Sequence, residues 1–316
     1  ARQRDKPGPW SPVAKPEPRP PVAIRPRKLS VSAVETWIGN PYAVFASHIL
    51  RLEPLPALGT APDASIRGAI VHEAMAKFAM AWPDTLPPDI QGELMTHADA
   101  VLRDWTGHPR VAAFWLPRFE RFAEWFAETE PSRRIGRVCA EVKGEMQLLP
   151  SNSLPFTLTA RADRLDVGNS GVRITDYKTG SPPSNSAVKD LHKPQLPLEG
   201  AIMATGGFGA AANTGSGIAG SLLGLRYIKA SGGEPAGNET DIKSDDLANL
   251  IERATAGLTR LVARFDDPAT PYAVARRAKF HYDFDPYTQL ARVAEWSAAG
   301  TADVSSDDAN DTGEAT

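Results

Sequence analysis

The segment ITDYKTGSPP (174–183) sets Asp176 and Lys178 two residues apart at the end of a run of β-formers, then stops in Gly-Ser-Pro-Pro. Residues i and i+2 of a strand share a face. Carboxylate and ammonium therefore stand side by side while Tyr177 turns the other way. Asp163 lies thirteen positions upstream, in what reads as the preceding strand, and the intervening turn lets the two carboxylates meet at one sheet edge. Two converging acids can hold a divalent cation, Mg²⁺ or Mn²⁺, through hard oxygen ligands. Such a cation acidifies a water and offsets charge on a phosphate. The neighbouring lysine can orient or help deprotonate that water, or neutralise the phosphorane as a point charge. An ordinary solvated Asp/Lys salt bridge at a strand end gives the same D-x-K pattern.

Three further polar residues are candidates for the same cleft. Glu141 falls in the strand before Asp163, one hairpin away. His72 lies in the helical run RGAIVHEAM with Gly68 one turn earlier, a setting in which a lone histidine is more often a satisfied surface or core residue. Gln195, in HKPQLPLEG, has an amide suited to a phosphate or a base.

These residues need a scaffold, and the 316-residue chain is long enough to bury a sizeable core. Residues 1–28 carry eight Lys/Arg against Asp5 and Glu17 and many prolines, and read as an extended or disordered arm; 299–316 hold five acids and no Lys or Arg, and read as a disordered tail. Between them, a first helix opens at a serine cap, Ser30 or Ser32, with Glu35 three residues beyond Ser32 as in a capping box. Helices are predicted over 64–81, 90–105 and 111–127, the last two forming a helical insertion between about 82 and 130. Strands follow over 136–148, 156–167 and 171–177 as a meander. Then come a helix over 190–204, a glycine-rich loop over 205–220, a strand over 221–230 and a helix over 245–265. This order describes an α/β domain over 29–298, not a doubly wound nucleotide binder.

A formal net charge of -3 gives no global basic footprint, which argues against a DNA-coating protein but not against local phosphate contacts. Cys139 is the single cysteine, so a disulfide framework and a four-cysteine cluster are both excluded. No apolar run is long enough to span a bilayer and no signal peptide is visible; no membrane association and a cytoplasmic location are expected. The chain opens on Ala1, as expected of a processed chain or a piece of something longer.

In this order, Gly68…His72, Asp163-Arg164-Leu165-Asp166, Asp176-Tyr177-Lys178-Thr179 and Gln195…Glu199 resemble the motifs of the RecB-type nuclease domains of the PD-(D/E)XK superfamily, most of all the C-terminal nuclease domain of AddB-type subunits of bacterial AddAB helicase–nucleases. The resemblance runs from about Leu29 to Trp296. It implies a restriction-endonuclease-like core, a central mixed sheet flanked by helices. It also implies Mg²⁺-dependent cleavage of single-stranded DNA in double-strand-break repair. His72, Asp163, Asp176 and the Tyr177 backbone carbonyl take the place of the metal ligands, and Lys178 that of the catalytic lysine. Asp166 takes that of a supporting acid, and Gln195 that of a DNA-contacting glutamine. A non-catalytic DNA- or partner-binding scaffold and a stand-alone RecB-type nuclease share the same fold and stay open.

Two departures stand out. Glu199 occupies the place of the tyrosine in the family's Q-x-x-x-Y. Where relatives carry four cysteines for an iron–sulfur cluster, this chain has Asn40-Pro41-Tyr42 and a cysteine-free 282–296, so no such cluster is expected. Trp37, Tyr42, Phe45, Tyr287 and Trp296 are expected to hold that region by packing alone. Arg161 shares the Asp163 strand face and can meet phosphate. Arg118 with Arg121, Arg133 with Arg134 and Arg137, and Arg276 with Arg277 and Lys279 are candidate phosphate contacts. No base-reading element is evident, and no Walker motif is present. The resemblance accordingly implies a partner, an AddA-like helicase–nuclease subunit that delivers the single strand.

Overall fold

Thirteen residues in extended conformation, Phe156–Gly168 (β3), form the strand around which the sheet is organised. The computed structural model describes residues 14–53, 64–104, 109–150, 154–209, 221–242, 246–274 and 286–300. In chain order the elements are β1 (Lys28–Ser30), α1 (Val31–Gly39), α2 (Pro41–Val44), α3 (Ala64–Ala81), α4 (Ile90–Asp104), α5 (Pro109–Arg133) and β2 (Arg137–Leu148). After β3 come β4 (Gly171–Lys178), α6 (Asn185–Lys189), α7 (Gln195–Ala204), β5 (Leu222–Ala230), β6 (Gly237–Asp241), α8 (Leu247–Asp266) and α9 (Val293–Gly300).

β2 runs antiparallel along β3 from Arg137↔Val167 to Leu148↔Phe156, closing one edge. Two shorter strands divide the other edge. β1 is parallel to residues 157–159, and β4 is antiparallel to 164–168. Residues 160–163 of β3 thus face a gap between them. β4 continues past that gap paired in parallel with β5, which carries β6 antiparallel at its far side. The result is a mixed six-stranded sheet flanked by helices.

The chain divides into two compact units, one drawn from the described residues of 27–35 and 56–264, the other from those of 1–26, 36–55 and 265–316. In the first, α3, α4 and α5 bury Ile70, Phe78, Leu94, Phe122 and Phe126 with Tyr177 and Ile228 of the sheet. In the second, Tyr42, Phe45, Tyr287 and Trp296 share one cluster. Trp37 lies instead against Phe265 and Tyr272. Here the expected 1–28 arm needs correction for its described part. Buried Arg25 donates to the carbonyls of Pro20, Phe265, Asp267 and Pro268, and Tyr272 N–H donates to Pro18. The acidic segment 301–316 lies outside the described residues.

Other elements differ from expectation for physical reasons. Of the two candidate caps Ser30 takes the role, accepting from Ala33 N–H, and Glu35 pairs with Lys193 instead of closing a capping box. α5 runs six residues past the predicted end, through Pro131, because its last turn is anchored. Glu130 and Arg133 there join a buried ionic group with Arg164 and Asp166. The predicted helix over 190–204 is shortened to α7, with Pro194 standing just before it, and a separate short helix, α6, capped by Ser184 Oγ, precedes it. β1 and β6 are additions, the one three residues long and the other a polar edge strand. No helix among the described residues is long and apolar enough to cross a membrane.

The ionic group gathers several buried charges behind the sheet. Arg164 bonds both oxygens of Glu130, both of Asp166 and the Tyr177 hydroxyl, all of them buried. Removing one member leaves its partners buried and uncompensated, at a cost of about 3–5 kcal/mol. Arg164→Met is expected to lose that much stability in urea unfolding; a loss below about 1 kcal/mol would show that the group does not anchor α5 to the sheet.

Candidate metal and phosphodiester site

The gap beside β3 is where the predicted residues gather. Continuing the β3–β4 register one step past Arg164↔Thr175 sets Asp163 opposite Asp176. There the backbone ladder has parted, and Asp163 Oδ2 accepts the Tyr177 N–H at 2.9 Å in place of a strand carbonyl. On the other side the β2–β3 register, Ala140↔Arg164 and Val142↔Ala162, sets Glu141 opposite the same aspartate. Glu141 is skipped by the ladder and has φ 55, left-handed backbone that a glutamate adopts only at a cost. Three carboxylates thus cross three strands in one row.

His72 reaches this row from α3, with Nδ1 3.2 Å from Asp163 Oδ1. Ligand atoms of His72, Glu141 and Asp163 all lie within 4.8 Å of one another. One imidazole nitrogen and two carboxylates suit Mg²⁺ or Mn²⁺ in the presence of water. The group lines an open cleft of ≈ 740 Å³ together with Gly68, Glu73, Lys77 and Arg161. Sequence spacing left Glu141 undecided because nothing in it signals the backbone turn that swings this side chain inward. Arg161, expected to meet phosphate, is ion-paired with Glu141 and 63% exposed at the cleft wall.

Asp176 and Lys178 form the neighbouring half of the site. Lys178 Nζ lies 2.9 Å and 2.8 Å from the two Asp176 oxygens and donates to Gln195 Oε1 at 3.2 Å. Gln195 Nε2 donates to Asp176 Oδ1 at 2.5 Å and to Glu199 Oε1 at 3.2 Å. The amide expected to contact DNA is therefore occupied by three neighbours inside the site. Asp176 stands outside the three-residue cation cluster, its carboxylate held by Lys178 and Gln195. Tyr177 sends its ring to the helical core, and Asp166 belongs to the ionic group on Arg164. Arg121 gives Nε and Nη2 to the Gly232 carbonyl, and Arg133 is buried in ion pairs; neither is a free phosphate contact. Arg118 is exposed. Arg276 and Arg277 lie outside the described residues.

Electrostatics follow from this crowding. Burial raises the Asp176 carboxyl to about 6, with Asp163 adding to the rise and Lys178 opposing it. Burial likewise raises Glu141, against the Arg161 charge. Burial would lower His72, but its hydrogen bond to Asp163 and the nearby acids outweigh it, and the net shift is upward. Burial would also lower Lys178; the Asp176 charge and hydrogen bond raise it overall, so Lys178 is an ammonium at neutral pH.

Residues 28–277 match the PD-(D/E)XK nuclease superfamily. The chain belongs to that superfamily. Among curated proteins, an uncharacterized protein of Rickettsia bellii (strain RML369-C) is 24% identical over 270 residues, covering 82% of this chain and 31% of that one. One from Rickettsia conorii (strain ATCC VR-613 / Malish 7) is 22% identical over 263 residues, 76% of this chain and 31% of that one. One from Rickettsia typhi (strain ATCC VR-144 / Wilmington) is 26% identical over 190 residues, 58% of this chain and 22% of that one. The chain thus spans less than a third of these relatives' length. Within a PD-(D/E)XK fold the row of acids beside a strand lysine is a plausible divalent-metal site, consistent with nuclease activity.

Two outcomes are expected. Because folding raises the Asp176 carboxyl from about 3.9 to about 6, the folded state holds that proton more tightly. The aspartate therefore loses the protein stability as pH rises through this window, and the loss is complete above it. In EDTA, the stability of Asp176→Asn relative to wild type should rise between pH 4 and pH 7 by on the order of 2 kcal/mol; a difference flat with pH contradicts this. Glu141→Gly removes both the strain and a carboxylate. Stability should change by no more than about 1 kcal/mol, while calorimetry should show Mn²⁺ affinity at least about tenfold weaker. Unchanged affinity would remove Glu141 from the site.

Proposed function

We propose that this domain hydrolyses phosphodiester bonds of single-stranded DNA in a divalent-metal-dependent reaction, as the nuclease of an AddAB-like double-strand-break repair complex. The observation that carries the chemical part is the convergence of His72, Glu141 and Asp163 at one open cleft, with Asp176 opposite Asp163 in the strand register and Lys178 bound to it. His72, Glu141 and Asp163 would hold the cation, Mg²⁺ or Mn²⁺, and Asp176 and the Tyr177 carbonyl border them as further oxygen donors. When bound, that cation supplies the charge that acidifies a water and offsets charge on the phosphate.

Lys178 stays protonated beside Asp176, so it serves as a donor and a point charge, not as a general base. Its ammonium orients the attacking water or bonds a phosphate oxygen as charge builds there. Water adds to phosphorus, the bond to the leaving sugar oxygen breaks, and that oxygen takes up a proton. Asp176 and Gln195 fix the ammonium in place before the substrate arrives, so little is left to reorganise during reaction.

The resemblance to AddB-type nuclease domains supports the substrate and the assembly. With no Walker motif in the chain, an AddA-like helicase–nuclease subunit would unwind the duplex and feed the strand. With no base-reading element evident, cutting is set by delivery and not by sequence.

A labelled single-stranded oligonucleotide should be cut by the purified chain in Mg²⁺ or Mn²⁺ and left intact in EDTA. Lys178→Ala and Asp163→Ala should each slow cleavage by about 100-fold or more. Cleavage that survives both substitutions would place the chemistry elsewhere.

A further inference from the structure

Glu199 has no evident structural reason to be where it is. It lies in α7, a helix whose residues 196–203 are all buried, and is itself 1% exposed. An apolar side chain of the same length would fill that space without desolvating a carboxyl group, a substitution that costs nothing in hydrogen bonds to solvent. Glu199 makes one side-chain hydrogen bond, Oε1 to Gln195 Nε2, while Oε2 is buried with no hydrogen-bond partner among the described residues. A buried polar atom kept at such cost is a functional signal when it stands next to reacting groups.

Its one bond lies at a decisive place. The Gln195 amide has one acceptor oxygen and two N–H donors. The oxygen accepts from Lys178, one N–H goes to Asp176, and the other goes to Glu199. Flipping the amide would point N–H at an ammonium and oxygen at two carboxyl groups, so all three neighbours select one orientation. Residues i and i+4 of a helix face the same side, and this is what places Glu199 Oε1 against the Gln195 side chain from behind. Tyr227 of β5, opposite Asp176 in the register, lies beside this group, with Lys178 Nζ 5.8 Å from its ring centroid.

We propose that Glu199 is a positioning residue. It holds the Gln195 amide in the single orientation that presents Lys178 and Asp176 to the phosphate, by accepting the second amide N–H at Oε1. The proposal rests on the phosphodiesterase reading of the same site. Burial and then the Asp176 charge push the Glu199 carboxyl well above the usual carboxylate range. A glutamine there offers the same acceptor oxygen on the same length of chain, and a methionine matches the length but offers none.

The test compares Glu199→Gln with Glu199→Met, and Glu199→Leu should the methionine variant not fold. Two readouts are taken: oligonucleotide cleavage in Mn²⁺, and solvent exchange of the Gln195 side-chain amide protons by NMR. Glu199→Gln is expected to keep kcat within about twofold and to keep both amide protons protected. Glu199→Met is expected to lose about 10–100-fold in kcat with KM for the oligonucleotide nearly unchanged. Its Gln195 protons should exchange at least about tenfold faster while its melting temperature does not fall. The proposal is overturned if the methionine variant keeps both kcat and protection, or if the glutamine variant fails as badly as the methionine one. If the wild-type chain cleaves nothing in any metal, the phosphodiesterase reading fails, and the exchange readout still decides whether Glu199 positions Gln195.

Discussion

The site depends on a hydrogen bond that the sheet itself cannot make. β1 and β4 both claim the same edge of β3, one parallel over 157–159 and the other antiparallel over 164–168. Backbone groups in the interval must find partners elsewhere, because a buried unpaired N–H costs as much as a lost hydrogen bond. Asp163 resolves this by turning Oδ2 onto the Tyr177 N–H and leaving Oδ1 for His72. One carboxylate thereby closes the sheet and founds the site. The same parting lets Asp176 and Lys178 leave the ladder with β3 while staying paired to β5. Position and chemistry have one cause.

Behind that gap, charge is handled in two opposite ways. Arg164 lies with Glu130 and Asp166 in a group whose buried donors and acceptors satisfy one another, and it holds the Tyr177 hydroxyl as well. Tyr177 is therefore pinned at both ends, by its ring hydroxyl in the interior and by its backbone N–H at Asp163. Across the strand, Glu141, Asp163, Asp176 and Glu199 crowd together with fewer cations than acids. Such an arrangement works against the fold, through repulsion and through desolvation that raises Asp176, Glu141 and Glu199. A divalent cation relieves it, which is why the acidic row makes sense as a binding site and not as a stabilising feature.

Much of this was legible in the residues themselves. Period-two alternation paired Asp176 with Lys178, and the GNSG turn set the register that faces Asp163 toward Asp176. Glu141 was legible only as a candidate for the cleft, because its inward turn comes from a left-handed backbone that no propensity signals. Glu199 read as a missing tyrosine, since only the folded i to i+4 neighbour reveals its bond to Gln195. Arg121 and Arg133 read as a phosphate track, yet their partners, Gly232 and Glu239, lie about a hundred residues away in sequence. Local composition cannot show such pairings. β1 and β6 escaped notice for a related reason, one being three residues long and the other polar on an edge.

The proposed cation site lies at the parted edge of β3, on His72, Glu141 and Asp163. Anomalous diffraction at the manganese edge, on crystals grown with Mn²⁺, tests it most directly. The account predicts an anomalous peak within coordinating distance of His72, Glu141 and Asp163, lost in Asp163→Ala. No peak at saturating Mn²⁺, or a peak only at sites away from these three side chains, would contradict it.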